Sequence, residues 1–207
     1  MTGRPRLILA SGSPQRRAIL ETLGVEFVTS VSGVDELAVG APSAVALENA
    51  LRKARAVADR LAAGSRPETT GPADSPPVLG VDTLVAVESP DAESSTIYGK
   101  PADERAARAT LEALSGRTHI VVSGLALVAA GAPTRSATVV TRVRMRRLEA
   151  ATIDWYVACG EWAGRAGGYA IQGRGIVLVA GIEGDYSNVV GLPVQGLLDL
   201  WPELLGH

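Results

Sequence analysis

The sequence predicts an α/β fold, a mixed sheet with flanking helices, and three observations carry that expectation. Short apolar runs of strand length alternate with segments of helical period. Several of those runs follow one another without a helix between them, so hairpins and crossovers share one sheet. The chain has 207 residues, 46% of them hydrophobic, which suits a single domain over 1–207 with a sizeable core. Aromatics are only 4%, so the core is built from small aliphatic side chains.

The elements read in order. Leu7–Ala10 is a short buried strand. Ser13 suits a helix N-cap and Pro14 the first helical position, with the helix running to about Leu23 and stopping at Gly24. "VEFVTSVSGVDE" is a second strand that leads into an acidic loop. "PSAVALENALRKARAVADRLAAG" is the clearest helix, capped by Ser43 and ended by Gly64, with Ala44, Leu47, Leu51, Ala54, Ala58 and Leu61 on its apolar stripe. Residues 65–77, rich in Pro, Ser and Thr, form an exposed loop.

"VLGVDTLVAVE" (78–88) is a strand, paired with "STIYG" across a turn around Ser89–Ser94. "PADERAARATLEALSG" (101–116) is a helix closed by Gly116. "HIVVSGLALVAA" and "ATVVTRVRMRRL" are strands. In the second, Val139, Thr141, Val143 and Met145 alternate with Val140, Arg142, Arg144 and Arg146, giving one buried and one basic face. "TIDWYVACG" is a short helix, "GGYAIQGRG" a turn, "IVLVAGIEG" a strand and "VVGLPVQGLLDLW" the final helix.

Composition excludes several classes. A net charge of −2 supplies no global basic field, which argues against a nucleic-acid partner. One cysteine, Cys159, allows no internal disulfide, and two histidines make a His-based zinc site a poor fit. A hard-cation site built from carboxylates stays open. No signal peptide and no run of ~20 apolar residues is visible, so a cytoplasmic protein without a membrane partner is expected. There is no Walker-type phosphate loop and no G-x-S-x-G elbow.

"LILASGSPQRRAIL" (7–20) turns through small residues into a helix N-terminus, where unpaired N–H groups and the helix dipole favour an anion. Ser11 and Ser13 can donate hydroxyls to a phosphate. Arg16 and Arg17 stand in the first turn, where the dipole disfavours cations unless an anion is bound. An ordinary helix start with solvated arginines explains the stretch as it stands, and an anion cradle is the alternative. Asp82 shares its strand face with Gly80, Leu84 and Ala86, and a buried carboxylate there needs a hydrogen-bonded, ionic or metal partner. Glu36 reads as a loop acid, Lys53 as a snorkelling lysine beside its helix stripe, Lys100 as a turn lysine and Gln172 as an amide between turn glycines. Taken together, these groups suit a polyanionic ligand handled with a divalent cation.

The blocks "LASGSPQRRAIL", "VSGVDE", "LRKARAVA", "LGVDTLV", "YGKP", "LSGRTH", "AGGYAIQGRG" and "GDYSNVVGLP" occur in the order found in the Maf family of nucleoside triphosphate pyrophosphatases, and the chain resembles that family over almost its whole length. The resemblance implies an elongated α/β structure with a central cleft between two lobes. It implies hydrolysis of nucleoside triphosphates to monophosphate and pyrophosphate with a divalent cation, Mg²⁺ or Mn²⁺. Some members favour dTTP and UTP, others modified nucleotides in a house-cleaning role, and members are associated with arrest of cell division.

By the same resemblance, Asp82 matches the proton acceptor, and Ser11, Arg16, Glu36, Lys53 and Lys100 match polar cleft residues. Glu36 and Asp82 are the metal-ligand candidates. Gln15, Thr83 and Gln172 occupy positions tied to base choice. Thr83 and Gln172 match the dTTP/UTP type, whereas Gln15 stands where that type has Arg. The loop at 65–77 is expanded and lies away from the motifs. A homodimer is the candidate assembly. The alternative from another class is a nucleotide-binding regulator of septum formation that acts through a partner with little catalysis.

Overall fold

The computed structural model describes residues 6–64, 75–88 and 95–205. The expected turn around Ser89–Ser94 and most of the 65–77 loop lie outside them. Seven strands form one mixed sheet: β1 (Leu7–Leu9), β2 (Phe27–Thr29), β3 (Val78–Val87), β4 (Thr96–Tyr98), β5 (Thr118–Val128), β6 (Arg135–Met145) and β7 (Val179–Glu183). The order is β2-β1-β3-β5-β6-β7, with β4 also on β3. β1 runs parallel to β2 and β3, and the remaining pairs are antiparallel, as a sheet mixing crossovers and hairpins requires.

One feature of β3 places the site. Along a single edge, β1 pairs with Val78 and Leu79 and β4 pairs with Val85, Ala86 and Val87. Between them β3 has no partner strand on that edge among the described residues. Asp82 and Thr83 lie in this gap, while their other edge pairs with Gly124 and Ser123 of β5. The segments leaving β1 and β4 carry Ser11 and Lys100 to its borders.

Helix α1 (Pro14–Thr22) starts as its sequence predicts: Ser13 is the extended N-cap, its side chain accepts from the Arg16 N–H, and Pro14 opens the helix. Helix α2 (Pro42–Gly64) begins one residue before the expected cap, so Ser43 lies inside its first turn. Its buried face is also rotated from the expected stripe. Val45, Ala46, Asn49, Ala50, Lys53, Ala54 and Val57 are buried, whereas Ala44 and Leu61 are exposed. Two polar residues on the buried face, Asn49 and Lys53, disguised it. The helix can lie close to the sheet because two strand positions have no side chain. A Cβ on Gly80 would overlap the Ala50 carbonyl and come within 2.8 Å of the Ala54 nitrogen, and one on Gly124 would overlap the Ala46 carbonyl.

The opposite face carries two hydrophobic clusters. Leu7, Leu9, Leu20, Leu79, Leu125, Leu192 and Leu197 form one, under α1 and the C-terminal helices. Val85, Leu111, Val121, Val143, Tyr156 and Tyr169 belong to the other, under α3 (Glu104–Leu114) and α4 (Ala150–Ala158). The alternation read for β6 holds: Thr141, Val143 and Met145 are buried and Arg142, Arg144 and Arg146 exposed. Two readings near the C-terminus change. The expected strand "IVLVAGIEG" opens as a 3₁₀ turn, Arg174–Leu178, before β7. The expected final helix splits into α5 (Tyr186–Val190) and α6 (Val194–Leu200), because Gly191 takes φ +128° and Pro193 follows. No helix among the described residues is long and apolar enough to cross a membrane.

Candidate active site

A cavity of about 520 Å³ opens at the gap in the β3 edge, within the range of small-molecule sites. Ser11, Ser13, Gln15, Arg16, Glu36, Lys53, Asp82, Thr83, Lys100 and Gln172 all line it. Residues from six separate stretches of sequence are thus gathered round one space.

Its floor is an ionic network on α2 and β3. Asp82 is 3% exposed and Lys53 7%. Lys53 Nζ donates to Asp82 Oδ1 at 2.6 Å and lies 2.5 Å from Glu36 Oε1, so one ammonium is shared by two carboxylates. The snorkelling expectation for Lys53 is therefore corrected: its head group stays inside because two anions neutralise it there. Asn49, one turn earlier, donates to Asp82 Oδ2 at 3.0 Å. Its other side-chain hydrogen bonds go to the backbone of Leu37, which positions Glu36 beside Lys53. Burial would raise the half-exposed Glu36 carboxyl. The Lys53 hydrogen bond, with the charges of Lys53, Lys100 and Arg16, outweighs it and holds the group below its usual value.

A second wall is built on Arg16. Its Nε donates to the Gly191 carbonyl at 2.9 Å, Nη1 to Ser11 Oγ at 2.8 Å and Nη2 to Thr83 Oγ1 at 3.1 Å. Burial lowers its pKa, while Asp82 and Glu36 act to raise it. Three of its five N–H donors serve the protein, and two are left for a ligand. Ser11 Oγ also accepts the Ser13 N–H at 3.2 Å, and Ser13 Oγ donates to Gln15 Oε1 at 3.1 Å. Arg17 points away to pair with Glu21 on the surface. The arginine pair thus splits into one buried site cation and one solvated residue. Thr83, a neighbour of the carboxylate in sequence but on the other strand face, also contacts Ser123 Oγ at 2.9 Å.

Gln172 reaches the cavity on a loop of close backbone turns. Glu161 accepts the Arg174 N–H at 3.0 Å and the Gly175 N–H at 3.2 Å, and a Cβ on Gly173 would stand 2.5 Å from the same carboxylate. Glycines at 173 and 175 let Glu161 pin the loop just after Gln172. Asn49, Glu161, Tyr169 and Arg165 escaped the sequence reading. Asn49 alone left a signal there, standing four residues before Lys53 on the same helix face.

The expected divalent cation can be tested against these donors. Among the described residues, no group of three or more His, Cys, Asp or Glu could hold a metal. The carboxylates of Asp82 and Glu36 do converge, on Lys53 Nζ. A Mg²⁺-like ion usually keeps waters and takes one or two carboxylates plus substrate phosphate oxygens. The residues fit an ion of that kind.

A family model described as Maf-like protein matches residues 6–204. A dTTP/UTP pyrophosphatase of Symbiobacterium thermophilum is 44% identical over 92% of this chain and 89% of its own length. One of Moorella thermoacetica is 45% identical over 94% and 93%. Among solved structures, a nucleoside-triphosphatase / dITP/XTP pyrophosphatase of Mycobacterium abscessus is 20% identical over 70% of this chain and 76% of its own, with a TM-score of 0.42.

Proposed function

Because the chain belongs to the Maf family, we propose that it hydrolyses nucleoside triphosphates, dTTP and UTP foremost, to the monophosphate and pyrophosphate. The observation that carries this reading is the shared ammonium of Lys53. It holds two acids at the floor of a cavity that is otherwise rich in cations and hydroxyls. Relatives at 44% and 45% identity named for the same reaction support it.

The phosphates lie along Ser11, Ser13, the turn amides and the free donors of Arg16, with Lys100 at the far border. Asn49 fixes the Asp82 carboxylate through Oδ2, and Oδ1, which accepts from Lys53 Nζ, uses its remaining lone pair to take the proton of the water that attacks the α-phosphorus. Lys53 stays paired through Glu36 as that proton arrives. Glu36, with Asp82 beside it, would hold Mg²⁺ or Mn²⁺, which supplies Lewis-acid neutralisation of the phosphate charge. Arg16, Lys53 and Lys100 offset the charge that grows on the leaving pyrophosphate. Gln172, held by its pinned loop, reads the base edge, with Gln15 and Thr83 bordering the same space. Gln15 supplies an amide where the dTTP/UTP type has a cation, so base choice rests more heavily on Gln172.

The reading is tested by pyrophosphate release from a panel of ordinary and modified triphosphates, with and without Mg²⁺. Release from dTTP and UTP ahead of the purine triphosphates is expected. Release from none of them would overturn the reading in favour of a nucleotide-binding regulator.

A further inference from the structure

We propose that Arg165 is a further substrate-binding residue, which grips the pyrophosphate portion of the bound triphosphate together with Lys100. The proposal rests on the hydrolytic reading above and deepens it.

Arg165 lines the cavity. Its Nε–H is buried and finds no acceptor among the described residues. Buried donors in folded proteins are almost always satisfied, so one left open in a cavity is aimed at something that arrives later. Lys53 and Arg16 differ in this respect. Lys53 is shared by two carboxylates, and Arg16 has committed three donors to protein oxygens. Arg165 makes no ion pair or side-chain hydrogen bond among the described residues, and its charge is free for a ligand.

The backbone holds this guanidinium in place. Arg165 N–H donates to the Trp162 carbonyl at 3.1 Å. Two residues later the Gly167 N–H donates to the Gly99 carbonyl at 3.1 Å, which ties the turn to the segment that carries Lys100. Gly167 has φ +69°, and a Cβ there would stand 2.8 Å from Val85 Cγ2 on the strand that bears Asp82. The 165–168 turn is therefore seated between the Lys100 loop and β3. Two cations on adjoining loops that make no ion pair among the described residues match a leaving group that gains negative charge as the bond breaks. The planar guanidinium fork also matches two phosphate oxygens with parallel donors in a fixed geometry, which an ammonium lacks.

The test is a calorimetric titration of inorganic pyrophosphate, in the presence of Mg²⁺, into the wild-type protein and into Arg165→Ala, Arg165→Met and Arg165→Lys. Thymidine is titrated as an uncharged control. Loss of about tenfold or more in pyrophosphate affinity is expected in the Ala and Met variants, with partial recovery in Lys and thymidine unchanged. Unaltered pyrophosphate binding in a folded Ala or Met variant would overturn the proposal, as would no pyrophosphate binding by the wild type. Should the Ala variant fail to fold, the Met and Lys variants give the same reading. A wild type that binds pyrophosphate through Arg165 yet hydrolyses no triphosphate would overturn the proposed reaction and leave the anion site standing.

Discussion

Asn49 donates to Asp82 Oδ2 at 3.0 Å and closes a pair of hydrogen bonds with the backbone of Leu37. One buried amide thereby couples the central strand to the loop that delivers Glu36. Asn49→Ala leaves the Leu37 N–H without its acceptor and frees the Asp82 carboxylate to rotate. We expect a loss of roughly 1–3 kcal/mol in urea unfolding, the cost of a buried unsatisfied group. A fall in kcat is expected as well. A variant as stable and as fast as wild type would deny Asn49 this coupling role.

Asp82→Asn keeps the shape of the side chain but removes the proton acceptor. Turnover should fall by ~10²–10⁴-fold with the fold retained. Lys53→Met leaves Asp82 as a buried anion without its ammonium and should destabilise by about 3–5 kcal/mol, as for other broken buried pairs. The Lys53→Met/Asp82→Asn double variant should recover part of that stability and none of the activity. A double variant no more stable than Lys53→Met alone would show that the pair is not coupled.

Gly80→Ala tests the approach of α2 to the sheet. The new methyl overlaps the Ala50 carbonyl, which belongs to backbone and cannot swing aside. Overpacking of this kind costs roughly 1–3 kcal/mol or more. Because α2 also carries Asn49 and Lys53, activity should fall with it. Gly64→Ala, at the end of the same helix with nothing within 4 Å, is the control and should leave Tm and kcat unchanged.

His119 predicts a pH dependence of stability. It is buried, its Nε2 lies 2.9 Å from the Tyr169 hydroxyl and its Nδ1 has no partner among the described residues. Burial lowers its pKa from 6.5 to about 4, and burial likewise raises that of Tyr169. The unfolded chain takes up the proton first. Stability from this group is therefore fully present above pH 6.5 and is lost as the pH falls towards 4, by roughly 3 kcal/mol at 1.36 kcal/mol per pKa unit. His119→Gln should flatten the stability curve in that window. A slope identical to wild type would assign the acid sensitivity elsewhere.

Gln172→Ala should weaken discrimination between dTTP and a purine triphosphate by ~10–100-fold in kcat/KM, since a buried base edge would lose its polar partner. Hydrolysis itself should persist. An unchanged preference would move base selection to Gln15 or Thr83.

Much of this architecture was legible in the sequence, and the exceptions have physical causes. The Ser13–Pro14 helix start and the alternation of β6 are local signals, and they appear as read. The buried face of α2 departs from its apolar stripe because Asn49 and Lys53 are polar residues that belong inside, held there by Asp82, Leu37 and Glu36. No periodicity reveals that, because their partners lie on other segments. The same holds for Arg165 and Tyr169 in the cavity wall, and for Glu161, which pins the loop behind Gln172; their places depend on turns around Gly167, Gly173 and Gly175. The split between α5 and α6 was written in Gly191 and Pro193, but the apolar run on either side concealed it.

The opening between β1 and β4 has a further consequence, for association between chains. Unpaired strand edges invite a foreign strand to add on, the first step of aggregation. Here the bare edge spans only the few residues between Leu79 and Val85, and native strands close it at both ends. At about 3.3 Å per residue, an extended intruder has no room to run past either frame. At this gap the protein can therefore present bare backbone to small molecules while leaving no room there for a foreign strand.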